Sequence, residues 1–195
     1  MARVILVFLI VLLPDSASAH IDGSDAGLFN GLMHPVSGPD HLIAMICVGV
    51  VSVQLGGSNI WRLPLAFVTA MAAGVTGGLA HIPVPHTELG IAASVLVLGV
   101  GILVARPGLP SWPILGLVLM FGACHGFVHG VEMPKSTSPA LYALGFLIGT
   151  AVLHIVGLII GEIASLRRSL WRVLRLGGAA VAGCGAVFVV QTLAS

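Results

Sequence analysis

The residues best suited to chemistry lie in one short segment, from Gly31 to His41. It holds two imidazoles, His34 and His41, and the carboxylate of Asp40, and its prolines interrupt a helix. A long apolar run begins directly afterwards, at Leu42. Ionisable groups at the mouth of a membrane span are costly and usually mark a functional site. The segment therefore predicts a broken helix whose side chains bind a metal cation.

A second pair of imidazoles, His125 and His129, has the spacing of two residues on one helix face. That spacing lets both rings chelate one cation. Cys124 stands beside the pair and Glu132 follows it by less than a turn. The alternative is that these side chains are polar contacts between membrane helices.

The donor set favours a transition metal. Imidazoles suit nickel, copper, zinc and iron, whereas magnesium and calcium prefer cages made only of oxygen. This pattern does not separate nickel from cobalt or zinc. Because only the neutral ring binds metal, we expect binding to weaken as the external pH falls through about 6.5.

The composition is that of a membrane protein. Of 195 residues, 57% are hydrophobic and 8% are charged, against about 25% charged in soluble domains. A net charge of +1 argues against binding to nucleic acid, which requires a strongly basic surface.

Cys47, Cys124 and Cys184 all lie in apolar runs, which disfavours a disulfide framework. We expect Cys47 and Cys184 to be small buried hydrophobic residues.

The first 19 residues have the pattern of a cleaved signal peptide. Arg3 precedes an apolar run that is too short to span a bilayer, and Ala17-Ser18-Ala19 is a cleavage site. Residues 20–195 would then form one transmembrane domain with His20 at its start. A free amine beside the His20 imidazole would be a capture point for metal.

Six apolar stretches of spanning length follow, which predicts an all-α bundle of six transmembrane helices after the signal peptide. They cover 39–56, 62–81, 87–105, 112–131, 139–163 and 173–193. A short helix over 26–34 should precede them and end before Pro35. Pro39 suits the first turn of the first span, so the break lies just before that span.

The arginines predict the orientation. With the mature N-terminus outside, the loops after spans 1, 3 and 5 are cytoplasmic, and they carry Arg62, Arg106, Arg167, Arg168, Arg172 and Arg175. Lys135 alone lies outside after the signal peptide. The positive-inside rule therefore predicts a multi-pass protein of the cytoplasmic (inner) membrane with a periplasmic or extracellular N-terminus.

In this topology seven of the eight histidines lie on the outer side. His81 closes span 2, and His86 with Glu88 opens span 3, so His81, His86, His20 and Glu132 are secondary ligand candidates. Only His154 lies in the inner half. With Glu162, eight residues further along span 5, it would form an inward relay; the alternative is that His154 makes contacts between helices and Glu162 is an interfacial carboxylate near Arg167 and Arg168.

These residues resemble the HupE/UreJ family of small nickel or cobalt permeases, found near hydrogenase and urease genes. The match rests on a signal peptide followed directly by His20, on the motif His34-Pro35-x-x-Gly38-x-Asp40-His41-Leu42, on the pair His125 and His129, and on the six-span plan. Better-known nickel/cobalt permeases carry an H-x4-D-H signature, whereas five residues separate His34 from Asp40 here.

The resemblance implies metal transport through His34, Asp40, His41, His125 and His129. The ion, Ni²⁺ or possibly Co²⁺, would be a substrate and no permanent cofactor is expected. Hydrogenase or urease maturation proteins would be the partners, and the bilayer the environment, while the oligomeric state stays open. No G-x-x-x-x-G-K-[ST] motif is present, so an ion gradient or a partner would supply the energy.

Two other functions compete. Histidines and an aspartate at one leaflet would suit an intramembrane zinc-dependent hydrolase, but Gly126 stands where an H-E-x-x-H motif has its glutamate. Ser37 and Glu132 are the candidates for its nucleophile or base. A haem anchor with two axial histidines would leave several outer histidines unexplained.

Overall fold

The chain is entirely helical where the computed structural model describes it, over residues 25–133 and 138–194. The predicted signal peptide and His20 lie outside the described residues. The described part forms seven helices: α1 (Asp25–Ser37), α2 (Pro39–Leu55), α3 (Asn59–Leu79), α4 (Thr87–Val104), α5 (Ser111–Val131), α6 (Pro139–Ser165) and α7 (Arg168–Ala194).

Five of these helices, α3 to α7, are long and apolar enough to cross a membrane. The bent pair α1 and α2 provides a sixth span when it is counted as one. The prediction of an all-α membrane bundle with a broken segment at its N-terminal side is confirmed. The largest boundary difference is in the last span, where the helix begins at Arg168 rather than at 173.

The break between α1 and α2 is sharp, with the two helices meeting at 82°. Gly38 lies between them in an extended conformation, with φ −97° and ψ 119°. A residue before proline is pushed out of the helical region, and Pro39 itself fits the first turn of α2. The Ser37 hydroxyl donates a hydrogen bond of 2.7 Å to the His34 carbonyl, which stabilises the end of α1.

The prediction that the first short helix ends before Pro35 is wrong, because α1 continues through this residue to Ser37. A proline in a helix interrupts the bond to the carbonyl four residues earlier, here that of Gly31. Pro35 is buried, and it packs on α6 beside Gly149. Tertiary packing therefore holds the last turn of α1 in spite of the missing hydrogen bond.

Glycines let the helices of the bundle approach closely. Gly126 of α5 contacts the backbone carbonyl of Met71 on α3, and Gly157 of α6 contacts that of Ile46 on α2. Close backbone approach of this kind is the usual way in which membrane helices associate. It fixes α3 against α5 and α2 against α6, and α2, α5 and α6 carry His41, His125, His129 and His154.

The cysteines are free and follow the prediction only in part. Cys47 is buried in the core, and Cys124 is half-buried beside Gly90. Cys184 is exposed, so its predicted burial is wrong. In a membrane helix an apolar side chain can face lipid as readily as protein, so an apolar run does not imply burial within the chain.

Candidate metal site

Four imidazoles from three helices meet at one end of the bundle. His129 of α5 lies with its ring centroid 4.5 Å from that of His34 on α1 and 4.4 Å from that of His41 on α2. The rings of His41 and His125 are 4.8 Å apart. We call these four residues the imidazole cluster. His125 and His129 are buried, and His41 nearly so, with 9% of its surface exposed.

The bend between α1 and α2 brings His34 and His41 to the same place. In a continuous helix, two residues seven positions apart would be separated by about 10 Å along the axis. Because the chain turns by 82° at Gly38, both rings reach His129 instead. The proline-containing segment therefore brings these two imidazoles together.

Asp40 orients His41. Its Oδ1 lies 2.8 Å from His41 Nδ1 and also accepts the His41 backbone N–H at 2.9 Å. With Nδ1 carrying the proton towards the carboxylate, Nε2 of His41 is left with its lone pair. This atom is buried and has no hydrogen-bond partner in the described structure. A carboxylate behind an imidazole in this way is typical of metal ligands.

His125 is oriented similarly by the backbone. Its Nδ1 lies 2.8 Å from the carbonyl oxygen of Phe121, one turn earlier in α5, so this nitrogen is the donor. Nε2 is buried and unpartnered among the described residues. Both ring nitrogens of His129 are likewise buried without a hydrogen bond to any described group. Buried polar atoms are almost always paired, so these four nitrogens are candidate donor atoms for a metal ion.

Carboxylates line the approach to the cluster. The ligand atoms of His34, His129 and Glu132 lie within 4.8 Å of one another. A cleft of about 340 Å³ leads to Asp40 and His41 and is lined also by Glu88 and Glu132. We call it the acidic cleft. Three carboxylates around one opening attract cations and raise their local concentration.

The outer candidates His81 and His86 lie apart from the cluster. Both are exposed, and both have left-handed backbone conformations, with φ of 52° and 60°. His86 lines a second cleft of about 310 Å³, which shares Glu88 and Thr192 with the acidic cleft. His86 is thus at the rim of the approach, and His81 is at the surface turn that follows α3.

His154 lies further into the bundle. It is 1% exposed, and neither ring nitrogen has a hydrogen-bond partner in the described chain. Phe67 of α3 separates it from the cluster, with its ring centroid 5.4 Å from that of His125 and 5.2 Å from that of His154. Glu162 is exposed two turns further along α6. The two residues of the predicted inner relay thus have different surroundings.

The sequence interpretation overlooked several residues of this region. Phe67, Phe146 and Tyr142 surround the imidazoles, and Phe146 lies 4.2 Å from His129 between ring centroids. Phe146 and Tyr142 lie eight and twelve residues before His154, which places them near its side of α6. That spacing could have identified them, whereas Phe67 gave no local signal.

The family model described as HupE / UreJ protein matches residues 7–188. Protein HupE of Rhizobium leguminosarum bv. viciae is 40% identical over 183 residues, covering 91% of this chain and 92% of the relative. No solved structure matches the chain at a significant level.

Proposed function

The chain belongs to the HupE/UreJ family, and we propose that it is a secondary permease for a divalent transition metal, Ni²⁺ or Co²⁺. It would take the ion from outside the cytoplasmic membrane and release it inside for hydrogenase or urease maturation. The ion is then the substrate that passes through the protein, and the protein carries out no chemical reaction on it.

The observation that carries this proposal is the imidazole cluster, with its buried Nε2 atoms of His41 and His125. Neutral nitrogen donors suit late first-row transition metals and are poor ligands for magnesium and calcium. A site made mostly of neutral ligands also holds a divalent ion less firmly than one made of thiolates. A permease needs such a site because a bound ion must leave again.

The surrounding residues suggest a path. Cations collect in the acidic cleft, where Asp40, Glu88 and Glu132 offset their charge. Capture by His20, His81 and His86 at the outer surface would precede this step. The ion exchanges its water for imidazoles and then passes His154 and Glu162 towards the cytoplasm.

Metal uptake into cells at trace concentration tests the proposal. Cells expressing the wild type should accumulate radioactive nickel, and His41→Ala and His125→Ala should each abolish accumulation at unchanged protein level. Thr76→Ala is the matched control, because Thr76 is exposed and its hydroxyl bonds only to the nearby Ala73 carbonyl, at 2.7 Å. Unaltered uptake in both histidine variants would refute the proposal.

Purified protein separates the other functions. Zinc that stays bound through purification, together with hydrolysis that depends on it, would identify the hydrolase. A Soret absorption band would identify a haem protein. We do not expect hydrolysis with Ser37 as nucleophile, because its hydroxyl is exposed and bonds to the His34 carbonyl instead of facing the cluster. We do not expect a Soret band, because a haem anchor would leave several outer histidines unexplained.

A further inference from the structure

Two methionine sulfurs converge on one hydroxyl group in the centre of the bundle. Thr150 Oγ1 lies 3.3 Å from Met45 Sδ and 3.8 Å from Met71 Sδ. All three residues are fully buried. They come from three different helices, α2, α3 and α6, so tertiary packing alone brings them together.

The sulfurs lie at a defined depth, next to the imidazole cluster on its inner side. Met45 follows His41 by four residues, which is about 6 Å along α2. The Met71 carbonyl contacts Gly126, the residue after His125. Thr150 precedes His154 by four residues on α6. The group therefore lies between the cluster and His154.

Thioether sulfur is a soft ligand that carries no charge and no proton. Soft donors bind late transition metals. They bind hard cations such as Mg²⁺ too weakly to replace the water around these ions. The Thr150 hydroxyl lies within hydrogen-bond distance of both sulfurs and can donate its one proton to either of them, so both sulfurs lie around a common point. An ion leaving Nε2 of His125 would reach these sulfurs before it reached His154.

We infer that Met45 and Met71 form a second, thioether coordination site, which takes the ion from the imidazole cluster and excludes hard divalent cations. This inference rests on the proposed transport function. It assigns to two core methionines a role that packing does not require. Methionine often serves only to fill irregular gaps, and that ordinary role predicts a different outcome in the following experiment.

The test replaces both sulfurs with carbon of similar shape, as Met45→Leu/Met71→Leu. Met120→Leu is the matched control, since Met120 lies on α5 with half of its surface exposed. Each purified protein is reconstituted into liposomes that contain a fluorescent chelator, and Ni²⁺ influx is followed. We expect influx to fall by about tenfold or more, as when a metal-binding shell is altered, and to stay unchanged in Met120→Leu.

Binding at the imidazole cluster reports whether the double variant is folded. Its affinity for Ni²⁺ by calorimetry should match that of the control, and it should elute as a single species. The single variants Met45→Leu and Met71→Leu are measured beside it, and each should lose part of the influx. Mn²⁺, a harder ion, should compete with Ni²⁺ influx more effectively in the variants than in the wild type.

X-ray absorption at the nickel edge gives a direct readout. With enough Ni²⁺ to fill both sites, the wild type and Met120→Leu should show a sulfur neighbour of the metal, and the double variant should show only nitrogen and oxygen. A wild-type spectrum without sulfur, or control-level influx in the double variant, overturns the inference while leaving the proposed function standing. A wild type that carries no Ni²⁺ overturns both.

Discussion

The Asp40 carboxylate lies 2.8 Å from Nδ1 of His41, on the side of the ring away from its buried Nε2. This contact fixes which nitrogen of His41 faces the other imidazoles. It also joins a charge at the acidic cleft to an imidazole inside the cluster. In the proposed transport, Asp40 acts through His41 as well as on the approaching ion.

Substitution at Asp40 separates these two effects. Asp40→Ala removes the charge and the hydrogen bond, so we expect the apparent affinity for Ni²⁺ to fall by about 10- to 100-fold. Asp40→Asn loses the charge, but its amide oxygen still accepts the Nδ1–H bond, so it should lose less. The concentration dependence of influx into liposomes measures both. Equal losses in the two variants would mean that His41 orientation contributes nothing.

The acidic cleft should control access more than the maximum rate. Glu88 is exposed, so Glu88→Gln should raise the half-saturating Ni²⁺ concentration by about two- to fivefold, the scale of an exposed charge pair. The difference should shrink at high ionic strength because salt screens exposed charges. Gln191→Glu, which adds a carboxylate to the same cleft, should have the opposite effect. A loss at Glu88 that is insensitive to salt would contradict this account and indicate direct coordination.

Close packing of α5 on α3 should be required for stability. A Cβ atom at Gly126 would collide with the Met71 backbone carbonyl, which cannot move as a side chain can. Gly126→Ala should therefore destabilise the protein by about 1–3 kcal/mol. Gly116 on the same helix has open space around its Cβ position, so Gly116→Ala should leave the melting temperature in detergent unchanged or raise it slightly. Equal melting temperatures for the two variants would contradict the packing.

The helices could be predicted from the sequence because each is a long apolar run bounded by prolines, glycines or charges. Gly157 and Gly161 of α6 are spaced four residues apart, a pattern of small residues that indicates close helix contacts but does not tell whether they lie within one chain or between chains. In the structure both glycines pack against α2 of the same chain, Gly157 on Ile46 and Gly161 on Val53. The course of α1 beyond Pro35 was not predictable from local rules, since packing on α6 stabilises it.

Residue type, spacing and the family motif together identified the four imidazoles and Asp40, since charged or metal-binding groups are rare in such an apolar chain. The sulfur atoms were harder to interpret. Met33, in the segment from Gly31 to His41, is exposed, whereas Met45 and Met71 lie together in the core. Methionine is common in apolar helices, so only the three-dimensional arrangement distinguishes the pair.

His154 provides a case in which stability and transport should change in opposite directions. Its ring nitrogens are buried with no hydrogen-bond partner in the described chain, and such atoms cost about 1–3 kcal/mol each. His154→Leu should therefore raise the melting temperature in detergent.

If His154 belongs to the inward path, the same variant should slow Ni²⁺ influx, because the ion then meets only carbon beyond Phe67. Binding at the imidazole cluster should be unchanged, since Phe67 lies between the two levels. Leu153→Met, at the neighbouring buried position, is the control and should alter neither property.

Glu162→Gln should slow influx without affecting stability, because this side chain is exposed. Normal influx in both His154→Leu and Glu162→Gln would remove the relay, and a more stable, fully active His154→Leu protein would show that the ion leaves the cluster by another route.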